Sequence, residues 1–277
     1  HRHLAELKGV AKTIPNEGML ISTLALQEAQ SSSAIENIIT TQDQLYKYQL
    51  HSDKVDPVTK EVAFYAKALH LGYKEVVKAE ALTLNTIIEM QEVLEGNRAG
   101  LRKTPGTILK NELTGEIVFQ PPSPEKLLPY MTKLEQFINQ KQSFDPLVCM
   151  ALIHHQFETI HPFYDGNGRT GRIINILYLV LYGLLDTPIL YLSRYINHTK
   201  DQYYSLLQTV RDTNEWEEWI LYILKAVSVT AKHTTVVVEA IGDLLVEQKQ
   251  QIRAKHKFYS QDLMNSLFSH PYTKVAF

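Results

Sequence analysis

The segment HPFYDGNGRTGR at His161–Arg172 limits the fold more than any other part of the chain. A proline disfavours helical geometry in the residue before it, so Pro162 ends any helix that arrives from the N-terminal side. The Gly-Asn-Gly sequence at Gly166–Gly168 permits a sharp turn, because glycine tolerates left-handed backbone angles. An apolar run follows and stops at Gly183, which is placed as a C-terminal cap. The segment therefore predicts a tight loop between two helices, the second roughly spanning Gly168–Tyr182 in the core.

Helical periodicity dominates the remainder of the chain, without repeats or low-complexity tracts. Asp56 and Asp145 each precede a proline, which is the pattern of an N-cap followed by the first helical residue. The interval Ser193–Thr199 is predicted to be a loop. The apolar spacing predicts further helices at Met19–Asn37, Gln42–Leu50, Pro57 to about Val77, Leu84–Leu94, Leu127–Ile138, Pro146 to about His161, Lys200–Arg211 and Glu215 to about Lys249.

Residues Gly100–Pro122 depart from this helical pattern. Two short apolar stretches, Ile108–Leu109 and Ile117–Phe119, flank Thr114-Gly115, a dipeptide typical of a turn. A cluster of prolines ends the second stretch. We therefore expect a mainly α fold with a single β-hairpin.

Composition limits the classes of partner. Of 277 residues, 44% are apolar and 21% charged, values typical of a globular protein with a sizeable core. The formal net charge of -2 gives no overall attraction for nucleic acid or for an anionic membrane. Cys149 is the single cysteine, so no internal disulfide is expected. With no recognisable secretory signal, we expect a cytoplasmic protein without a membrane partner.

Several requirements of a polyphosphate site meet in the central segment. The N–H groups that begin a helix, together with the positive end of its dipole, attract anions. Arg169 and Arg172 are three residues apart and can lie on neighbouring helix surface, where two guanidinium groups suit a polyphosphate. Asp165 offers a hard oxygen ligand for a Mg²⁺ that bridges phosphates. His161, at the preceding helix end, can accept a proton from an attacking hydroxyl.

The same twelve residues resemble the signature of the Fic family: His, any residue, Phe, any residue, Asp or Glu, Gly-Asn-Gly-Arg, two residues, Arg. Every defined position is matched. The resemblance implies a Fic-type helical core that transfers AMP from MgATP to a Ser, Thr or Tyr hydroxyl of a target protein. It implies that His161 is the general base, Asp165 the Mg²⁺ ligand and Phe163 an anchor in the core. Phosphate contacts are implied for Gly166, Asn167, Gly168, Arg169 and Arg172.

Two further features refine the implied activity. The related Doc kinases carry Lys at the position of Gly168 and bind the nucleotide in reverse, so glycine favours AMP transfer over phosphate transfer. The segment Ser32–Asn37 resembles the Fic inhibitory pattern, which is Ser or Thr, three residues, Glu, then Gly or Asn. The resemblance implies that Glu36 pairs with Arg172 and blocks the γ-phosphate, so that the enzyme is autoinhibited.

The resemblance extends over about Gly18–Ala231. It implies that the hairpin Thr107–Phe119 binds the target segment as an added strand. It also implies that Tyr204, in preference to the adjacent Tyr203, contacts adenine. Family members often carry Asn seven residues beyond Tyr204, where this chain has Arg211.

We therefore divide the chain into an N-terminal helical region with the inhibitory helix (residues 1–80), a Fic catalytic core (81–247) and a C-terminal extension (248–277). Tyr259–Phe277 resembles the start of an appended winged-helix unit. It lacks a complete recognition helix, so nucleic acid binding is not predicted from this segment.

Several alternatives remain open. The same site could remove AMP, with Glu36 positioning a water, or the chain could be a regulatory winged-helix module that binds DNA or an assembly. Self-modification and oligomerisation are also compatible with the sequence. His154 and His155 are expected to have structural or solvent roles, and Glu158 to be a surface group or a support for the site.

Overall fold

The computed structural model describes residues 1–14, 17–50, 56–110 and 114–269. Within these ranges the chain is mainly helical, with one two-stranded antiparallel sheet, so the predicted fold class is confirmed. The elements are α1 (Arg2–Ala11), α2 (Glu17–Ile35), α3 (Gln42–Leu50), α4 (Pro57–Ala79), α5 (Leu84–Glu95), β1 (Leu109–Lys110), β2 (Ile117–Phe119), α6 (Pro124–Asn139), α7 (Pro146–Ile160), α8 (Asn167–Leu181), α9 (Ser193–His198), α10 (Lys200–Thr213), α11 (Glu217–Lys255) and α12 (Gln261–Ser269).

Helix α8 lies at the centre of the fold, where it packs against α4, α5 and α7. Twelve of its residues are buried, including the largely apolar run from Ile173 to Leu179. A helix that is buried on all faces must have its polar groups paired inside the protein. The two arginines near its N-terminus are therefore held by partners from other elements.

Local sequence signals place most helix ends correctly. The Asp56 carboxylate accepts a hydrogen bond from the Thr59 N–H, and the Asp145 carboxylate accepts one from the Leu147 N–H. Each proline after these aspartates begins a helix, as predicted. The observed helices run somewhat further than expected at several ends, and α11 continues to Lys255. The proposed domain boundary at residue 248 thus falls inside a continuous helix.

The predicted loop Ser193–Thr199 is wrong, because Ser193–His198 forms helix α9. The first N–H groups of a helix need acceptors from outside the helix. Here Glu28 of α2 accepts a hydrogen bond from the Ser193 N–H at 2.9 Å and another from the Ser193 hydroxyl. This capping group is 165 residues away in the sequence, so no local pattern reveals it.

The hairpin pairs β1 with β2 in antiparallel fashion, with Leu109 opposite Phe119. Residues 111–113 lie outside the described part, so the predicted turn is described only from Thr114 onward, and Gly115 there has a φ of 71°. Helix α12 lies within the segment Tyr259–Phe277, which is predicted to begin a winged-helix unit. Residues 270–277 of that segment lie outside the described part.

Helix α11 is long and apolar enough to cross a membrane by length and composition alone. Its most apolar 18-residue window is 39% buried inside the protein, where the helix packs against α1 and α7. The expectation that the chain has no membrane partner stays a prediction.

Candidate active site

His161 stands at the end of α7 in a left-handed backbone conformation, with φ 48° and ψ 61°. Few non-glycine residues adopt such angles, and the proline that follows prevents the helix from continuing. Arg102 holds this bend in place. Its Nε donates to the His161 carbonyl at 2.8 Å, its backbone N–H donates to the Pro162 carbonyl at 2.9 Å, and its Nη2 donates to the Pro122 carbonyl.

The imidazole of His161 is neutral near physiological pH. Its pKa is lowered to about 4, chiefly by burial and then by the positive charges of Arg102 and Arg211, while the Glu36 carboxylate and the Glu158 carbonyl oppose the shift. A neutral imidazole is the form that can accept a proton. The geometry therefore agrees with the role predicted for His161.

The loop between α7 and α8 is held by Asn167. Its Oδ1 accepts from the Phe163 N–H at 2.9 Å, and its Nδ2 donates to the Phe163 carbonyl at 2.9 Å. Phe163 itself is fully buried, so its predicted role as a core anchor agrees with the structure. Asn167 therefore supports the loop with its side-chain amide, and its predicted contact with phosphate stays a prediction.

The N-terminus of α8 lies close to a carboxylate, that of Glu36. Gly166 caps the helix with a φ of 76°, a conformation that favours glycine. At Gly168 a Cβ atom would overlap the Glu36 carboxylate and lie 3.0 Å from Arg172 Nη1. Glycine at position 168 therefore allows Glu36 to approach the start of α8, where the helix dipole favours negative charge.

Arg172 pairs with Glu36, as the sequence predicts. The Nη2–Oε1 distance is 2.7 Å, and two more bonds run from the guanidinium to the Ser32 hydroxyl and carbonyl at 2.8 and 2.9 Å. The arginine is fully buried. Burial alone would raise the pKa of Glu36, but Arg172, Arg169 and Lys200 outweigh it and hold the pKa below the ordinary value. Glu36 is therefore ionised at neutral pH.

Arg169 has two acidic partners, Glu61 at 2.8 Å and Glu95 at 2.9 Å. Burial raises the pKa of Glu95 to about 7, although Arg169 opposes the shift, and the carboxylates of Asp165 and Glu61 add to it. The Arg169 guanidinium thus serves a network at the base of the loop. Its predicted contact with phosphate stays a prediction.

Asp165 is exposed, and its Oδ1 accepts from the Gly166 N–H at 2.7 Å. No group of three or more His, Cys, Asp or Glu side chains that could hold a metal occurs among the residues that the structure describes. A single carboxylate beside a phosphate site still fits Mg²⁺, which commonly takes one or two protein ligands and completes its shell with phosphate oxygens and water.

Further buried polar groups line α7 behind the site. The His154 Nε2 is 2.8 Å from the Tyr203 hydroxyl, and both side chains are buried. Structural roles for His154 and His155 are therefore confirmed. Glu158 is also buried, which raises its pKa to about 7, so the alternative of a surface group is wrong. Tyr204 is 43% exposed and contacts the Tyr203 ring edge to face.

Sequence reasoning missed the residues that organise the site from a distance, which are Arg102, Glu28, Glu61 and Glu95. A buried arginine or glutamate on an otherwise ordinary helix or loop carries no local signature. The available signal is the strict glycine spacing of the loop, which indicates that another group packs closely against it. A Cβ on Gly166 would overlap the Glu95 carboxylate.

Two models of one protein family match the chain. The model described as "Fic/DOC family N-terminal" matches residues 1–74, which contain Glu36, and the model described as "Fic/DOC family" matches residues 81–179, which contain the loop and both arginines. Together the two models cover most of the chain.

Individual relatives are more distant. The chain is 30% identical over 142 residues to a protein adenylyltransferase Fic of Aedes aegypti, covering 49% of this chain and 27% of that protein. It is 32% identical over 83 residues to a probable protein adenylyltransferase of Aquifex aeolicus, covering 30% and 26%. The matches thus span about a quarter of the length of these relatives. A crystal structure of a Fic family protein from Desulfovibrio desulfuricans covers 95% of this chain and 81% of its own, with a TM-score of 0.69 and 21% identity, which establishes a shared fold.

Proposed function

Because the chain belongs to the Fic/DOC family, we propose that it is a protein adenylyltransferase, which moves AMP from ATP to a hydroxyl group of a protein. The observation that carries this proposal is the placement of a partly buried histidine with a lowered pKa shortly before a helix N-terminus that faces an acidic side chain. The family match and the names of the relatives support the same reaction.

In the proposed reaction, a Ser, Thr or Tyr hydroxyl of the target attacks the α-phosphorus of ATP. The new O–P bond forms as the bond from that phosphorus to its bridging oxygen breaks, and pyrophosphate leaves with the electron pair. The hydroxyl proton passes to the His161 imidazole. The negative charge of bound ATP raises the pKa of that imidazole from its low value and makes it a stronger base.

The backbone N–H groups at the start of α8 bind the phosphates, and Arg172 binds the γ-phosphate once it is released from Glu36. Asp165 would hold Mg²⁺, which neutralises phosphate charge when bound. Tyr204 contacts adenine, and the target segment pairs with the hairpin, whose Ile117 and Val118 side chains are exposed.

We also propose that Glu36 keeps the enzyme mostly inactive. Arg172 cannot pair fully with both the Glu36 carboxylate and a γ-phosphate. With Glu36 in place, ATP would bind with its α-phosphate turned away from the line of attack. Autoinhibition thus follows from competition for one guanidinium group.

The test of the proposed reaction uses His161→Ala in the Glu36→Gly background. We expect loss of AMP transfer by roughly 10²–10⁴-fold or more, with ATP binding largely retained, because the base does not hold the phosphates. His161→Gln, which keeps the side-chain volume closer, serves as a matched control. Near-normal transfer by a well-folded His161→Ala protein would remove His161 as the base.

A further inference from the structure

Arg211 connects three parts of the molecule that surround His161. Its Nη2 donates to the Glu158 carbonyl at 3.2 Å, and its Nε donates to the Thr159 hydroxyl at 3.3 Å. Its guanidinium also lies over the ring of Phe119, with Cζ 4.1 Å from the ring centroid. One side chain on α10 therefore touches both the last turn of α7 and strand β2 of the hairpin.

The Glu158 carbonyl is an acceptor that the helix itself cannot satisfy. In a regular helix it would receive the N–H of the residue four positions later, which here is Pro162 and has no N–H. The Arg211 guanidinium supplies a donor from outside the helix. A cation at a helix C-terminus is also favoured by the helix dipole.

The Phe119 contact gives Arg211 a second function. A guanidinium stacked on an aromatic ring is held by the ring electrons and by dispersion, which a flexible lysine reproduces poorly. The contact fixes the C-terminal strand of the hairpin against α10. The other tie is Arg102, which joins the His161 carbonyl to the Pro122 carbonyl just beyond that strand.

We propose that Arg211 is a positioning residue that ties the hairpin to the end of α7, so that a docked target segment is held in register with His161. This inference rests on the proposed roles of His161 and the hairpin. The asparagine that family members often carry at this position for an adenine contact is replaced here by Arg211, whose guanidinium group binds α7 and Phe119 instead.

Arg211 also sets the charge around the base. The charged groups that face the His161 imidazole are Arg102 from the segment after α5, Arg211 from α10 and Glu36 from α2. Both arginines lower the pKa of His161. Loss of Arg211 removes one positive charge and is expected to raise that pKa toward the ordinary value.

The experiment compares Arg211→Met, Arg211→Lys and Phe119→Leu in the Glu36→Gly protein, with Arg98→Met as the control because that arginine is 91% exposed. Two readouts need no catalysis: amide exchange of residues 117–119, followed by mass spectrometry, and the NMR titration of the His161 ring, assigned with His161→Gln. A third is the acid limb of the pH profile for AMP self-modification.

Arg211→Met should speed exchange of residues 117–119 by roughly two- to fivefold and shift the His161 titration and the acid limb to higher pH. Arg211→Lys and Phe119→Leu should speed exchange but leave the titration in place, because the positive charge remains. A defect in overall folding would lower the rate of AMP self-modification at every pH without moving the acid limb of the pH profile.

The positioning role of Arg211 is refuted if Arg211→Met matches Arg98→Met in both the amide exchange of residues 117–119 and the titration of His161. If Arg211→Met does not fold, unchanged exchange in both Arg211→Lys and Phe119→Leu refutes it instead. Absence of AMP transfer in the parent Glu36→Gly protein would count against the proposed reaction alone, since exchange and titration still decide the role of Arg211.

Discussion

Replacing Glu36 with glycine should convert the protein from a nearly inactive enzyme into an active one. Glu36 follows the last helical residue of α2 and precedes Asn37, whose φ is 61°, so glycine there does not interrupt a helix. The change removes the carboxylate that pairs with Arg172 at 2.7 Å. It also removes negative charge from the start of α8.

The size of the effect follows from the burial of the pair. A hydrogen bond to a charged group contributes about 1.5–3 kcal/mol. Arg172 is fully buried but the Glu36 side chain is 33% exposed, so solvent reduces the contribution toward the lower end of that range. If that free energy opposes productive binding of ATP, removing the carboxylate should strengthen productive binding by on the order of 1–3 kcal/mol, which is roughly 5–150-fold. In the absence of ATP the same change should destabilise the fold by about 1–3 kcal/mol, because a buried charge loses a partner.

Two measurements on wild type and Glu36→Gly test this reasoning. The first is the rate of AMP incorporation into the protein itself under MgATP. The second is the rise in melting temperature on adding ATP, which should be larger in Glu36→Gly because the γ-phosphate replaces the lost carboxylate as the partner of Arg172. Glu36→Gln, which keeps the shape but not the charge, should be intermediate.

Adding Arg172→Ala to Glu36→Gly should cancel the gain, since the released guanidinium is then absent. Equal AMP incorporation and equal ATP stabilisation in folded wild type and Glu36→Gly would show that the ion pair has no inhibitory role.

Three other substitutions have distinct signatures. Gly168→Ala should reduce the free energy of unfolding in both backgrounds, but by about 1 kcal/mol less in Glu36→Gly than in wild type, because its Cβ then meets no carboxylate. Additive effects of the two substitutions in denaturant titrations would contradict this. Ile117→Pro should reduce AMP labelling of proteins in a cell extract more than ATP binding, since it removes a backbone donor of the hairpin, whereas equal losses would point to damaged folding. For His155, burial lowers the pKa to about 4. The unfolded chain therefore binds the proton first as pH falls below about 6.5, and the free energy of unfolding should drop by up to about 1.4 kcal/mol per pH unit. His155→Gln should reduce this slope, measured by urea titrations at several pH values. An unchanged slope would argue against a buried neutral ring.

The parts of the fold that local sequence determines were predictable. Asp-Pro caps and the Pro162 break fix helix ends through interactions within a few residues. Helix α9 was not predictable, because its cap is the Glu28 carboxylate from α2. Such long-range capping depends on packing that exists only in the folded chain.

The candidate site shows the same division. Its motif residues were found because their spacing is strict, and the pairing of Glu36 with Arg172 was found through resemblance to a known pattern. The partners of Arg169 and the ties made by Arg102 and Arg211 were missed, because no periodicity marks a charged side chain that becomes buried by tertiary contacts. The use of the Asn167 amide as a loop support was also missed, since the sequence cannot show which way an amide points.

In the proposed reaction AMP, rather than phosphate, moves from ATP to a protein hydroxyl. The most direct measurement incubates folded Glu36→Gly protein with Mg²⁺ and ATP labelled either at the α- or at the γ-phosphate, with the Glu36→Gly, His161→Ala double variant alongside. We predict covalent label from the α-position only, an increase in protein mass equal to one AMP, and no label in the double variant. Label from the γ-position, or equal α-label with and without His161, would contradict the account.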